Sequence, residues 1–176
     1  FTDSDRKVKR AIKAGNEKWL EFRNYCRLEK LNCQAANEKV FKARQISPAD
    51  LPLKIGVLGY VYNVYDCILS MDILTRLRQL GADSVTFEML KDNEINRHLH
   101  GLRKNLFWTF SKNLMGAAYQ FFNDPSIDGI IHVTAFGCGP DAFLGKILEL
   151  DSVKYEKPLM TIRIDEHSGE NHLQTR

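Results

Sequence analysis

No two cysteines of this chain form a C-x-x-C pair, and the four present, Cys26, Cys33, Cys67 and Cys138, are scattered along 176 residues. That excludes a secreted disulfide scaffold, a zinc ribbon and a dithiol redox pair. No apolar run is long enough to span a bilayer and no signal-peptide pattern opens the chain, so the expected location is cytoplasmic, without membrane insertion. G-x-G-x-x-G and Walker-A spacings are absent, which disfavours nucleotide binding by either fingerprint. Repeats and low-complexity tracts are missing too. Charge of one sign is also scarce: the formal net charge is +3. Most of the excess basicity falls in residues 1–45, interleaved with Asp and Glu, a pattern that describes a solvated helix face rather than a nucleic-acid surface.

What is present is a helical segment followed by strand and helix patterns in alternation. Residues 3–44 carry strong helix formers with apolar positions at Ala11, Trp19, Phe22, Leu28 and Leu31, which predicts one long helix or a helical pair. Cys26 and Cys33 share a face of that helix; two turns of rise hold them roughly 10 Å apart, too far to bind one metal together, so they read as buried thiols. Pro48 and Pro52 break the pattern and place a boundary between an appendage, 1–50, and a main domain, 51–176. Beyond it, strands are expected at 54–59, 84–90, 129–136 and 159–164, with helices at 66–82, 106–122 and about 140–150. The alternation predicts an α/β domain: a flavodoxin-like or Rossmann-like three-layer sandwich with a mostly parallel sheet, preceded by the long N-terminal helical segment.

In such sheets ligands bind beyond the carboxyl ends of the strands, and three polar loops meet that condition. In 137-GCGPD-141, Gly137 and Gly139 allow a sharp turn and close approach, and Pro140 suits the first position of a helix whose free N–H groups favour an anion. Cys138 at that point is expected to be more acidic than a free thiol, suited to act as a metal ligand or nucleophile; the alternative is a small side chain wedged in a tight turn. Asp141 closes this loop. The loop 59-GYVYNVYD-66 supplies Tyr62 and Asn63, with Asp66 as a helix cap. In 165-DEHSGE-170, Asp165, Glu166, His167 and Glu170 are dense in acceptors, and His167 could shuttle protons near neutral pH. Hydrated loop polarity is the plain alternative. His132, inside the third strand, reads as a satisfied core histidine rather than a ligand.

Three blocks together exceed generic patterning: 54-KIGVLGYVYNVYD-66, 129-GIIHVTAFGCGPDAFLG-145 and 158-PLMTIRIDEHSGE-170. They resemble the CoA-substrate-specific enzyme activases, or acyl-CoA dehydratase activase-related proteins, in the module similar to the iron–sulfur subunits of 2-hydroxyacyl-CoA dehydratases. The likeness runs from about Pro52 onward. It implies a low-potential 4Fe–4S or related cluster served by an ATP-hydrolysing activase domain or subunit, with an acyl-CoA as the substrate. Cys138 would then be a cluster ligand, and the residues at 62, 63, 137, 139, 141, 165, 166, 167 and 170 would line the same cavity. The chain opens on Phe1 without an initiator Met, and the family's cysteine–proline motif is absent. The remaining ligands are therefore expected in a longer protein, and the cluster is not expected on this piece alone. Homo-oligomerisation stays open. Two rival readings are a metal-free module for a phosphate-bearing ligand such as a CoA ester, and a thiol enzyme using Cys138 with His167.

Overall fold

In the computed structural model, which describes residues 4–40, 51–100, 106–165 and 168, the apolar run after the prolines forms strand β1 (Leu53–Gly59). Its side chains alternate between two cores, as expected of a strand covered on both faces. Ile55 and Val57 join one cluster with Val133, Ile162 and Ile164; Leu58 joins the other with Ile130.

Three further strands follow: β2 (Ala82–Thr86), β3 (Gly129–Ala135) and β4 (Leu159–Ile164). All pairings are parallel and the order is β2-β1-β3-β4. The α/β expectation holds, and the order decides between its two variants. With β3 beside β1 rather than beyond β2, the sheet has the flavodoxin-like arrangement, whose crossover direction reverses between β1 and β3.

Helices cover both faces. The β1–β2 connection contributes α3 (Val61–Tyr65) and α4 (Ile73–Gln79), whose Val64, Ile73 and Leu77 fill the first cluster. The opposite face takes α6 (Thr109–Asn123) and α7 (Gly139–Lys154). On α6, Leu114, Ala117, Ala118 and Phe121 are buried, the i, i+3, i+4, i+7 stripe of a core-facing helix. Phe121 lies against Gly56 so closely that a Cβ there would stand 2.5 Å from its ring. Burying each such large side chain contributes about 1.5–3 kcal/mol relative to exposure.

Several elements differ from expectation. The helix expected over 66–82 is interrupted: Met71 and Asp72 adopt left-handed backbone, with φ of 53° at both, so only α4 is regular. Asp66 caps the turn before it, accepting the N–H groups of Ile68 and Leu69 at 2.9 Å. Gly81, with φ of 79°, ends α4 as the pattern predicted. β2 begins and ends earlier than 84–90, giving way to a 3₁₀ turn, Phe87–Met89. Within the polar linker a short α5 (Asp92–Asn96) forms, its N-terminus closed by the Glu94 carboxylate accepting the Lys91 N–H at 2.6 Å.

The chain divides into two compact units, 1–48 and 49–176. The first contains α1 (Asp5–Leu28) and α2 (Cys33–Val40), the helical pair among the two expected forms. Lys30, with φ of 54°, ends α1, and the Leu31 N–H reaches back to the Tyr25 carbonyl at 3.3 Å. Asn32 Oδ1 then accepts the Ala35 N–H at 2.9 Å and starts α2. Cys26 and Cys33 therefore stand on different helices, not two turns apart on one. Cys26 is buried with Ala35 and Ala36, whereas Cys33 is half-buried. Among the described residues no helix is long and apolar enough to cross a membrane.

Candidate functional site

The strand order brings the loops after β1 and β3 to either side of the switch point, and the end of β4 lies next to them. Gly59 pairs with Val133, Ala135 pairs with Ile164, and the Phe136 N–H donates to the Ile164 carbonyl at 2.7 Å. Tyr60, Phe136 and Asp165 therefore leave the sheet at one rim.

Cys138 is the N-cap residue of α7, and Pro140 stands at the start of the helix, as expected. The Cys138 N–H donates to the Ala135 carbonyl at 3.2 Å, which closes the turn. Gly137 supports it with φ of 80°, a conformation costly for any residue with a Cβ. Added Cβ atoms at Gly137 or Gly139 would meet nothing within 4 Å. Among the described residues no neighbour requires Gly139 to be small. Cys138 itself is half-exposed.

Tyr62 on α3 is exposed. Burial first, then the charges of Cys138 and Asp141 and the neighbouring Tyr60, push its hydroxyl above the ordinary 10.0, so it remains a proton donor at neutral pH. The Tyr62 loop after β1 is thus within electrostatic reach of Cys138 and Asp141 after β3. Asn63, by contrast, is buried, and its Nδ2 has no hydrogen-bond partner.

Below the turn lies a polar pair that is entirely enclosed. Asp141 and His132 are both fully buried, and His132 Nε2 is 2.9 Å from Asp141 Oδ1. The pair ties β3 to the first turn of α7, directly beneath the Cys138 turn. His132 is a core histidine, as expected, but only half satisfied: its Nδ1 and Asp141 Oδ2 have no partner, and neither does Thr134 Oγ1. Gly145 gives the ring room, since a Cβ there would stand 3.1 Å from it. A signal for this pair exists in the sequence: Asp141, Leu144, Gly145 and Leu148 form one i, i+3, i+4, i+7 stripe, so the carboxylate occupies a core position.

Beyond β4, Asp165 and Ser168 close a small turn: the Ser168 hydroxyl donates to Asp165 Oδ1 at 2.8 Å and accepts the Asp165 N–H at 2.9 Å. Glu166, His167 and Glu170 lie outside the described residues. Cys67, expected in the first turn of a helix, is exposed in the turn before α4. None of the four cysteines is disulfide-bonded. Among the described residues no group of three or more His, Cys, Asp or Glu could hold a metal ion. They offer one thiol at the rim and do not by themselves complete a cluster ligand set.

Two features of the rim were not anticipated. Glu88, just past β2, has Oε1 buried without a partner, while the Tyr65 hydroxyl reaches Thr86 Oγ1 at 3.2 Å and Glu88 Oε2 at 3.4 Å. Burial pushes the Glu88 carboxyl above its ordinary value, with hydrogen bonds from its own backbone, Thr86 and Tyr65 pulling partway back. The other is an aromatic group at the start of α6 and α7, where Phe107, Trp108, Phe136 and Phe143 are all exposed.

A protein-family model described as the CoA enzyme activase uncharacterised domain matches residues 1–90, over half of the chain. The match takes in the helical pair, β1, the Tyr62 loop, β2 and Glu88, and it stops before the F-G-C-G-P-D turn. No curated protein and no solved structure matches the chain.

Proposed function

Because the chain belongs to the CoA enzyme activase uncharacterised domain family, we propose that its α/β unit is a redox lobe, offering Cys138 as one thiolate to an iron–sulfur cluster whose other ligands lie elsewhere in the assembly. A 4Fe–4S or related cluster would supply low-potential electron transfer, in the service of an ATP-hydrolysing activase domain or subunit acting on an acyl-CoA. One observation carries this reading: the half-exposed Cys138 stands at the N-cap of α7, on the rim of the switch point, and no described residue would touch a Cβ at Gly137 or Gly139.

The residues around the thiol have separable tasks. Gly137 shapes the turn, and the buried His132–Asp141 pair holds that turn against β3. The Tyr62 hydroxyl, within electrostatic reach of Cys138, is the donor this reading assigns to the sulfur, since hydrogen bonds to a ligating sulfur tune a cluster's potential. Asp165 and the residues at 166, 167 and 170 belong to the loop expected to close the same rim.

Anaerobic reconstitution of the intact protein with iron and sulfide provides the test. Cys138→Ala is expected to lower bound iron and the visible charge-transfer absorption, while Cys67→Ala leaves both unchanged. Equal iron in wild type and Cys138→Ala would overturn the assignment and leave the metal-free CoA-ester module.

A further inference from the structure

Between the first turns of α6 and α7 lies a cavity of ≈ 260 Å³. Met115 and Leu144, both 1% exposed, form part of its lining, as do the exposed rings of Trp108 and Phe143. A cavity of roughly 150 Å³ admits benzene, so this one has room for a ring with a short arm. The apolar surround has one polar exception. Ser111 lines the cavity at 3% exposure, and its Oγ lies 3.1 Å from the Tyr60 hydroxyl. Two hydroxyls in a single O–H···O bond use one hydrogen and keep the other, so the pair holds an unspent donor.

The two helix ends are not equivalent. Neither Trp108 nor Cys138 provides a side-chain cap, so the first N–H groups of α6 and α7 are left without one. The first turn of α7 already contains the Asp141 carboxylate, whereas that of α6 has no acidic residue. An anion is therefore better served at α6, beside Ser111. Among the described residues no Lys or Arg lines the cavity. A doubly charged phosphate would be poorly compensated there; a single charge shared by two oxygens suits one hydroxyl and a helix end.

We propose that this cavity binds a small apolar monocarboxylate, its hydrocarbon body between Trp108, Phe143 and Leu144 and its carboxylate on the Ser111 hydroxyl and the α6 N-terminus. The site is separate from the cluster assignment: it requires no metal and does not use the Cys138 sulfur.

Trp19 and Trp108 are the only tryptophans, so a Trp19→Phe variant of the complete chain makes Trp108 fluorescence a direct reporter. Titration with phenylacetate is expected to give a saturable change. Phenylacetamide, which keeps the ring and loses the charge, should bind about tenfold more weakly, the loss of one charge-assisted hydrogen bond. Inorganic phosphate should give no response. Phe143→Ala, at an exposed position, should weaken phenylacetate binding several-fold, as should Ser111→Ala with an unchanged circular dichroism spectrum. A response to phenylacetate that does not saturate, or one untouched by Phe143→Ala, would overturn the site; equal affinity for acid and amide would overturn its carboxylate end. Iron content does not enter either readout, so this test and the reconstitution test fail independently.

Discussion

Glu88 illustrates how much chemistry a single side chain acquires from its position. In sequence it is one acid in an apolar stretch; in the fold its Oε1 is shut away from water without a partner. Burial raises its folded-state pKa above the ordinary 4.5. The protonated form is thus the one the fold favours: the stabilising contribution is complete below 4.5 and is lost as pH rises through the raised value. Chemical denaturation across that window should show stability falling with pH at this group, and Glu88→Gln should flatten the fall and leave the protein more stable at neutral pH. A pH profile unchanged by the substitution would remove Glu88 as its source. Nothing local announces this behaviour, because desolvation depends on what packs around Oε1. Gly137 is the opposite case: a glycine before a helix-starting Pro reads directly as a turn, and its φ of 80° fulfils that reading.

At the scale of elements, the junction of β3 and α7 is the part most closely tied to the candidate site. Beside their apolar packing, the strand and the helix are joined here by a buried polar contact, His132 to Asp141, under the turn that presents Cys138. Removing one partner of a buried pair leaves the other desolvated and alone, so Asp141→Ala should cost about 3 kcal/mol in urea denaturation. Asp141→Asn retains an acceptor for the imidazole N–H and should lose less. If both variants cost the same, the contact is not what holds the junction. The strands and α6 were legible because period-two and period-3.6 patterns are local. The break in the helix expected over 66–82 was not: it rests on left-handed backbone at Met71 and Asp72, held in part by the Arg76 Nε–H donating to the Met71 carbonyl at 2.7 Å. Asp72 tolerates that region, but Met71 is a helix former and gives no turn signal.

At the scale of the whole molecule, the two clusters that sandwich the sheet are built, among the described residues, from residue 55 onward. A chain of residues 49–176 should therefore fold alone, with one cooperative thermal transition and near-ultraviolet dichroism; a non-cooperative transition would show that the sheet needs the preceding unit. The sequence alone determined the α/β class, the helical segment before it and the placing of Cys138 at a strand-to-helix turn, since each follows from neighbours within a few residues. Tertiary structure decided that β3 lies beside β1, that Tyr62 comes within electrostatic reach of Cys138, that His132 finds Asp141, and that α6 and α7 enclose a cavity between their first turns. Those outcomes depend on which crossover packs on which face, and no local pattern encodes that choice.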